Sequence, residues 1–229
     1  MRIKLSLRQI VSLDEKSQIM TSNIYVAAIW TDGRLKWFPY SKSASGQSNF
    51  NNLTSIVLPA TSIWTPDLFV INIAGTNGYI PITSSSLVEV NYKGEVFMLI
   101  SVTNLQTRCQ MYVYFFPFDT QNCSITIGSW KHSTARMDFD TYHGKIDTSE
   151  YQPHPVWSLK QIQIKHIVTK SRFKHGVNET NEDIAFYFIL NRGSGYYMAN
   201  LIACFILNCV TLLAFHLPFA IQCTICIIF

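Results

Sequence analysis

The most informative segment of the chain is Cys109-QMYVYFFPFDTQN-Cys123, in which two cysteines bracket thirteen residues. A disulfide that closed a loop of this size would remove conformational entropy worth roughly 3 kcal/mol from the unfolded chain. The bracketed residues are strongly apolar and include a single acid, Asp119. A solvated loop has no need of such a composition, so the segment indicates a surface that lies against another apolar layer. The alternative is a disulfide that only stabilises an ordinary secreted β-domain.

The length and composition of the chain limit the classes of protein to which it can belong. The 229 residues suffice for one sizeable domain and a small appendage. Charged residues make up 14% of the chain, well below the roughly 25% that is typical of soluble domains. The formal net charge is +4, without a dense block of lysine and arginine. No nucleic-acid partner is therefore predicted.

Apolar residues concentrate towards the C-terminal end. Residues 196–229 contain no Asp, Glu, Lys or Arg, and residues 196–217 supply the roughly 20 apolar positions that a membrane-spanning helix needs. Tyr196 and Tyr197 stand at one end, where aromatic side chains favour the membrane interface. We therefore predict two parts, a folded domain over residues 1–195 and a transmembrane region over residues 196–229. A buried helix of a soluble core is the alternative.

The sequence at each end of the chain leads to a further prediction. Pro218 interrupts the predicted helix, and eleven residues follow it. As a helix they would be about 16 Å long, too short for a hydrocarbon core of about 30 Å, so we expect an incomplete apolar tail. The start, MRIKLSLRQI, alternates like a strand and lacks the apolar core of a signal peptide. This start leads us to expect a truncated sequence, a partial gene model or a chain whose leader is missing.

Cysteines and glycosylation sequons indicate that residues 1–195 lie outside the cytosol. A disulfide between Cys109 and Cys123 would require an oxidising compartment. Three Asn-x-Ser/Thr sequons point the same way, and they begin at Asn52, Asn122 and Asn178. The other four cysteines lie in the apolar tail without a second Cys-x-x-Cys pair. Small lipid-facing side chains are a better interpretation of them than a metal or redox site.

The patterning of residues 1–195 is that of β-strands. Ile3, Leu5 and Leu7 alternate with polar residues. Short runs rich in Val, Ile, Tyr and Phe then recur between turns of Gly, Asn, Asp and Pro. This predicts an antiparallel sandwich or barrel, with strands over residues 24–30, 87–90, 95–102, 110–116, 124–127, 157–166 and 184–190.

Residues 109–123 resemble the signature loop of the Cys-loop pentameric ligand-gated ion channels, in which Phe-Pro-x-Asp lies between two cysteines with thirteen residues between them. We call this segment the signature loop. Other motifs follow in family order. Residues 30–37 resemble the family's Trp-x-Asp-x-x-Leu-x-Trp motif, residues 64–67 match Trp-x-Pro-Asp, and Gly128-Ser129-Trp130 matches the segment after the loop. The resemblance covers residues 7–218 and is greatest for nicotinic acetylcholine and serotonin receptor subunits.

The resemblance implies the architecture and the partners. The expected fold is an all-β extracellular sandwich, immunoglobulin-like with about ten strands, followed by a transmembrane α-helix. The expected disulfide joins Cys109 to Cys123. The expected partners are homologous subunits in a homo- or hetero-pentamer, membrane lipid, and a small-molecule ligand at the subunit interface. The expected location is the plasma membrane, including the postsynaptic membrane.

The resemblance also implies a ligand site made of aromatic side chains, whose faces attract a desolvated amine by about 2 kcal/mol or more. Trp130 matches the central tryptophan, and Tyr25 stands where the complementary face usually carries a tryptophan. Ile71 replaces the tyrosine expected after Trp-x-Pro-Asp. The hairpin tip from Lys174 to Asn181 contains no aromatic residue and no vicinal cysteines, and Lys174 adds a cation. Because this set of aromatic side chains is incomplete, we predict an accessory or orphan subunit. Trp130 could alternatively be a core tryptophan.

A second group of residues is implied in gating. In the family an acid of the first inter-strand loop pairs with the arginine before the first membrane helix, near the signature loop. Here the arginine is Arg192 and the acid is Glu15 or Asp14. Breaking a partly buried pair leaves a costly unpaired charge, so these residues can couple the sandwich to the helix. The loop residues assigned to this coupling are Phe116, Pro117, Phe118 and Asp119. The alternative is a static ion pair.

No enzyme, metal site or cofactor is predicted, because no Ser/His/Asp, metal-binding or phosphate-binding motif occurs. Five histidines lack the spacing of metal ligands and are interpreted as scattered surface residues: His132, His143, His154, His166 and His175. The predicted function is a cation-selective subunit of a pentameric neurotransmitter-gated channel. The alternative is a naturally short, single-span, non-conducting subunit that acts as an assembly partner, dominant-negative subunit or decoy.

Overall fold

The computed structural model describes residues 1–38, 53–83, 86–142, 144–170 and 180–216. These residues form ten β-strands, two short 3-10 turns and one α-helix. In chain order the strands and the helix are β1 (Arg2–Asp14), β2 (Ile19–Thr31), β3 (Ser55–Pro59), β4 (Phe69–Val70), β5 (Leu87–Asn91), β6 (Glu95–Arg108), β7 (Thr120–Gly128), β8 (Asp140–Thr141), β9 (Trp157–Lys170), β10 (Thr180–Arg192) and α1 (Gly195–His216).

The strands form two sheets around one core. The first sheet has the order β3-β5-β6-β2-β1-β8, and the second has the order β4-β7-β10-β9. Neighbouring strands are antiparallel, except that β1 and β8 are parallel. The hydrophobic side chains of both sheets belong to one continuous cluster. This is the arrangement of a β-sandwich.

Alternation along the long strands explains where the core lies. Ile3, Leu5 and Leu7 of β1 are at most 1% exposed, whereas the residues between them are half-buried. Phe186 and Phe188 of β10 are buried to the same degree from the other sheet. Full burial of side chains of this size contributes about 1.5–3 kcal/mol each. The core fixes the register of both sheets, because a slip by one residue would expose it.

The predicted disulfide is confirmed. Cys109 follows β6 in the first sheet, Cys123 lies on β7 in the second, and their Cα atoms are 4.9 Å apart. Both residues are buried in the core. The bond therefore joins the two sheets at the point where the signature loop leaves the sandwich.

One predicted strand is wrong. Residues 110–116 form irregular chain and turns, and within them the side chain of Gln121 takes the two backbone groups of Tyr112 that a sheet partner would take. Tyr112 N donates to Gln121 Oε1, and Gln121 Nε2 donates to Tyr112 O, both at 2.9 Å. The other predicted runs lie within β1, β2, β5, β6, β7, β9 and β10. The fold class, a sandwich followed by one apolar helix, is confirmed.

Candidate functional site

Arg192, the last residue of β10, is a buried charge at the junction between the sandwich and α1. Its side chain is 2% exposed. Nε and Nη2 donate to the two carboxylate oxygens of Asp119 at 2.7 and 3.0 Å, and Nη1 forms an ion pair with Glu15. Bidentate pairing is the stronger and more directional form of an arginine–carboxylate contact. One side chain therefore joins the signature loop to the β1–β2 turn.

Three aromatic rings surround the same guanidinium. Cζ of Arg192 lies 4.3 Å from the ring centroid of Trp157, 5.0 Å from that of Phe116 and 5.5 Å from that of Tyr197. Tyr197 belongs to the first turn of α1, and its ring lies 5.0 Å from that of Phe116. The contacts of Arg192 thus extend from the sandwich to the helix.

The charges of Arg192 and Asp119 support one another. Burial opposes the ionisation of Asp119, but hydrogen bonds from Arg192 and Gln121 outweigh it and hold the pKa of Asp119 below its usual range. Burial also opposes the charge of Arg192, yet its hydrogen bonds with Asp119 and Glu15 raise the pKa of Arg192. Both side chains are therefore ionised at neutral pH.

The β1–β2 turn separates two acids that the sequence left as alternatives. Asp14 accepts hydrogen bonds from Ser17 Oγ at 2.6 Å, Ser17 N at 3.2 Å and Lys16 N at 2.9 Å, and these bonds lower the pKa of Asp14. Its neighbour Glu15, 41% exposed, is the acid that contacts Arg192. Asp14 holds the turn closed, which positions Glu15.

The signature loop presents an aromatic surface beside α1. Within the loop, Pro117 and Asp119 are buried, whereas the large side chains around them face outward. These side chains are between 45% and 90% exposed. They are Tyr112, Val113, Tyr114, Phe115, Phe116 and Phe118.

Trp130 belongs to an aromatic cluster immediately after β7. Its ring centroid lies 4.7 Å from that of Phe69, which lies 5.0 Å from that of Tyr79. Gly78 permits this approach, because a Cβ atom there would lie 2.4 Å from the Phe69 ring. Trp130 remains 37% exposed. The cluster is thus a partly open aromatic surface rather than a sealed core.

Asp67 of the Trp-x-Pro-Asp motif holds the segment that carries Trp130. Ser129 Oγ donates to Asp67 Oδ1 at 2.8 Å, and Lys131 N donates to Asp67 Oδ2 at 3.0 Å. Lys131 Nζ in turn lies 5.7 Å from the ring centroid of Tyr79. A lysine of the chain itself therefore stands over part of the aromatic cluster.

Tyr25 lies apart from Trp130, on β2 of the first sheet. The side chain of Arg8 covers it: Cζ of Arg8 is 4.9 Å from the ring centroid, and Nη1 donates to the Tyr25 hydroxyl. Tyr25 and Trp130 consequently belong to different surfaces of one chain. Sharing one ligand would require the surfaces of two neighbouring chains.

The remaining assigned ligand residues have different surroundings. Ile71 is half-buried in the turn after β4, and its N–H donates to Thr126 O at 2.8 Å. The prediction that Asn181 belongs to the hairpin tip is wrong. Asn181 lies within β10, opposite Thr169, and is 4% exposed, because the β9–β10 ladder extends to Thr180. Lys174 lies outside the described residues.

Asn122 is the one sequon asparagine within the described ranges, and its side chain is exposed on β7. The sequons at Asn52 and Asn178, like His143 and His175, lie outside them. His132 Nε2 lies 3.8 Å from Asp67, and His166 Nδ1 lies 2.9 Å from Glu182. His154 Nδ1 accepts hydrogen bonds from Val156 N and Trp157 N. Among the described residues no three His, Cys, Asp or Glu side chains are grouped to hold a metal ion.

The helix that follows Arg192 has the length and composition to cross a membrane. The apolar span covers Gly195–Leu213, and 22 residues of helix α1 extend about 33 Å at 1.5 Å per residue. Its apolar side chains are exposed along its length, among them Leu201, Phe205, Leu212 and Phe215. Such a surface fits a lipid environment.

Residues 1–194 match the family model described as the neurotransmitter-gated ion-channel ligand binding domain. The chain belongs to the Cys-loop family of neurotransmitter-gated ion channels. The resemblance found in the motifs is thereby confirmed. Members of this family are receptor channels, so the prediction that the chain is not an enzyme is also confirmed.

Curated relatives of this Cys-loop chain include two kinds of nicotinic subunit. The neuronal acetylcholine receptor subunit alpha-2 of Gallus gallus is 31% identical over 215 residues, which are 93% of this chain and 38% of that protein. Subunit alpha-4 of Mus musculus is 32% identical over 219 residues, 95% of this chain and 32% of that protein. The chain thus spans about a third to two fifths of the length of these relatives.

Motif reasoning missed four residues of this Cys-loop domain that the structure brings to its sites. Gln121 binds both Asp119 and Tyr112, and its only sequence signal is its position between Asp119 and Cys123. Phe69 and Tyr79 complete the Trp130 cluster. Arg8 covers Tyr25. The last three depend on packing between elements, which no local pattern records.

Proposed function

We propose that this chain is a subunit of a pentameric ligand-gated ion channel of the plasma membrane, with its sandwich outside the cell. Ligand binding between neighbouring sandwiches shifts a closed–open equilibrium, and Arg192 transmits the shift to α1. The observation that carries this proposal is the position of Arg192, bonded at once to Asp119 and Glu15 and packed against Tyr197 of the helix.

The relatives support the class of channel. Both are named neuronal acetylcholine receptor subunits, and we extend three properties of that class to this chain. Its partners are homologous subunits in a homo- or hetero-pentamer, its pore is selective for cations, and its locations include postsynaptic membranes. The exposed apolar side chains of α1 contact lipid and neighbouring helices.

The ligand surface supports an accessory or orphan subunit. Trp130 supplies an exposed ring on one surface, where Lys131 lies over the ring of Tyr79 in the same cluster, and Tyr25 supplies a ring on another surface, where Arg8 lies over it. A resident cation over an aromatic face lowers the gain that an amine ligand obtains there. The chain is therefore poorly suited to form an acetylcholine site alone and better suited to complete a site with a different neighbour.

Co-expression tests this function. The chain is expressed in oocytes with a nicotinic alpha-type subunit, its surface amount is measured by biotinylation, and its stoichiometry is measured by counting photobleaching steps of labelled subunits. We expect mixed pentamers whose ligand-evoked currents differ from those of the alpha subunit alone. Surface assembly that suppresses current in every combination would favour the non-conducting alternative. Failure to assemble with any homologous subunit would overturn both.

Trp130→Leu is expected to weaken the ligand response of such pentamers, because it removes the exposed ring while leaving an apolar side chain against Phe69. Losing a desolvated aromatic contact worth about 2 kcal/mol corresponds to a shift of about thirtyfold in the half-maximal concentration. Trp130→Phe, which retains a ring, should shift it less. The response is read as a dose–response curve normalised to surface expression. An unchanged curve for Trp130→Leu would assign Trp130 to packing instead.

A further inference from the structure

His154 accepts two backbone hydrogen bonds in the turn that leads into β9. Its Nδ1 accepts from Val156 N at 3.0 Å and from Trp157 N at 3.1 Å. A ring nitrogen accepts a hydrogen bond only when it carries no proton, so these bonds require a neutral imidazole with its proton on Nε2. The ring thus takes the part that an Asn or Asp side chain commonly takes in a turn, where it binds the backbone two residues on.

The two N–H groups that His154 binds belong to residues of the Arg192 junction. Trp157 is the first residue of β9 and lies opposite Arg192 on β10, and its ring centroid is 4.3 Å from Cζ of Arg192. Val156 O accepts a hydrogen bond at 2.6 Å from the N–H of Gly193, the residue after Arg192. The turn that His154 closes therefore contacts both the guanidinium and the backbone that leads into α1.

The surroundings of His154 favour its neutral form. The side chain is half-buried, and burial lowers the pKa of His154, although a hydrogen bond with the backbone of Val11 opposes this shift. Burial also raises the pKa of Tyr151, so the nearby hydroxyl stays uncharged. Within the described ranges no carboxylate forms an ion pair with His154. The imidazole is therefore neutral at neutral pH.

The charged groups on the surrounding elements are engaged elsewhere. Arg8 of β1 contacts Glu150, and Glu15 of the β1–β2 turn contacts Arg192. Asp14 is bonded within its own turn. The stretch of β2 that pairs with β1 beside Val11 consists of uncharged residues. The ionisable side chains on the elements around His154 are Arg8, Asp14, Glu15, Lys16, Asp119, Glu150, Tyr151, Lys160, Arg192 and Tyr197.

Protonation of His154 is incompatible with this turn. A proton on Nδ1 converts the acceptor into a donor, which then faces the N–H donors of Val156 and Trp157. Two donors cannot share a hydrogen bond, so either the ring rotates away or the turn opens. Trp157 then loses the group that fixes its backbone, and an additional positive charge stands near Arg192.

We propose that His154 is a positioning residue of the Arg192 junction, that the lone pair of Nδ1 holds Trp157 against the guanidinium, and that a proton from the extracellular solution releases this contact. The coupling of sandwich and helix would accordingly weaken in acid. The consequence for coupling rests on the proposed function, whereas the positioning of Trp157 depends on this chain alone.

The positioning step can be tested with the full chain in lipid nanodiscs, without a channel readout. Histidine is labelled with ¹³C and tryptophan with ¹⁹F, and both NMR spectra are followed from about pH 7.5 to 5, the range in which histidine titrates. We expect the Trp157 resonance to move with the same midpoint as the His154 resonance, below the value of about 6.5 of an unfolded chain. Loss of each resonance in Trp157→Phe and His154→Asn provides the assignments. A Trp157 resonance that stays constant while His154 titrates would overturn the proposal.

His154→Asn is the matched variant, because an amide oxygen can accept the same two N–H groups but takes up no proton in this range. Its Trp157 resonance should keep the neutral position at every pH. His154→Leu offers no acceptor and should show the acid position throughout. His166→Gln removes a histidine that contacts Glu182 instead, and it should leave the response unchanged. An Asn variant that responds to acid like the wild type would contradict the assignment, and this comparison decides even if His154→Leu fails to fold.

Currents separate this inference from the proposed function. In mixed pentamers with equal surface amounts, acid should lower the maximal current more with the wild type than with His154→Asn. Equal acid effects on both would overturn the consequence for coupling. If Trp157 follows His154 in nanodiscs but no pentamer forms, the positioning role stands and the channel function fails. If pentamers respond to ligand but Trp157 does not follow His154, the channel function stands and this inference is wrong.

Discussion

Arg192→Gln is expected to cost about 3–5 kcal/mol of stability, because removing one partner of a buried ion pair leaves the other charge uncompensated. Asp119 would be that charge, with 1% of its side chain exposed. The change also removes the cation that lies among Trp157, Phe116 and Tyr197. Unfolding of the purified chain in denaturant, followed by tryptophan fluorescence, measures the loss directly because Trp157 adjoins the guanidinium.

The exposure of the two acids supplies a matched control. Glu15 contacts the same guanidinium but is 41% exposed, so Glu15→Gln should cost no more than about 1 kcal/mol, the usual limit for an exposed pair. Arg192→Gln combined with Asp119→Asn removes both buried charges and should recover part of the loss. Equal losses for Glu15→Gln and Arg192→Gln would show that burial does not govern this junction.

The depressed pKa of Asp119 gives the same prediction a pH dependence. A carboxylate whose pKa is lower in the folded state contributes stability above its unfolded value, near pH 4, and loses it as the pH falls through the folded value. The difference in stability between the wild type and Asp119→Asn should therefore be constant from pH 8 to 5 and shrink below about pH 4. A difference that shrinks between pH 8 and 5 would contradict the direction of the shift.

In a working channel the same variant should separate coupling from binding. Arg192 lies at the end of β10, whereas Trp130 and Tyr25 lie on other elements. Arg192→Gln should accordingly reduce the surface amount or the maximal current of mixed pentamers and leave ligand affinity nearly unchanged. A normal maximal current with a large loss of affinity would place Arg192 in the ligand site.

The sequence predicted the features that depend on residues close together in the chain, and it missed those that depend on contacts between distant residues. Alternation along β1, the Cys-loop motifs and the apolar run of α1 are local patterns, and each predicted its element. Residues 110–116 do not form the predicted strand, and the backbone N–H and C=O of Tyr112 pair instead with the side chain of Gln121, nine positions later. Apolar periodicity records burial but not which group supplies the hydrogen bonds.

The ligand surfaces also contain residues that local sequence patterns did not identify. Trp130 could be found from its motif, but its neighbours Phe69 and Tyr79 come from β4 and the loop that follows it. Arg8 faces Tyr25 because β1 and β2 pair in one particular register, which brings Ser6 opposite Tyr25. Sequence motifs identify the aromatic residues of a ligand site. Which positively charged side chains cover those residues depends on how the strands pack.

Replacing the signature-loop cysteines is the change with the broadest expected effect. Removing a native disulfide from a small extracellular domain typically costs 2–5 kcal/mol, and this one joins the two sheets inside the core. Its loss would also free the loop that carries Asp119, the partner of Arg192. The variant Cys109→Ala with Cys123→Ala is expected to reach the cell surface at a small fraction of the wild-type amount, because a freed loop exposes the core between the sheets.

The helix offers a matched control for that change, because Cys204 is an exposed free cysteine of α1. Cys204→Ala removes a thiol without touching the disulfide and should leave surface delivery unchanged. Surface biotinylation measures delivery, and the mass of non-reduced peptides shows whether Cys109 and Cys123 are joined in the wild type. Normal delivery of the double variant would mean that the core and the Arg192 junction hold the loop in place without the bond. The disulfide would then act on the unfolded chain alone, as the entropic account of cross-links describes.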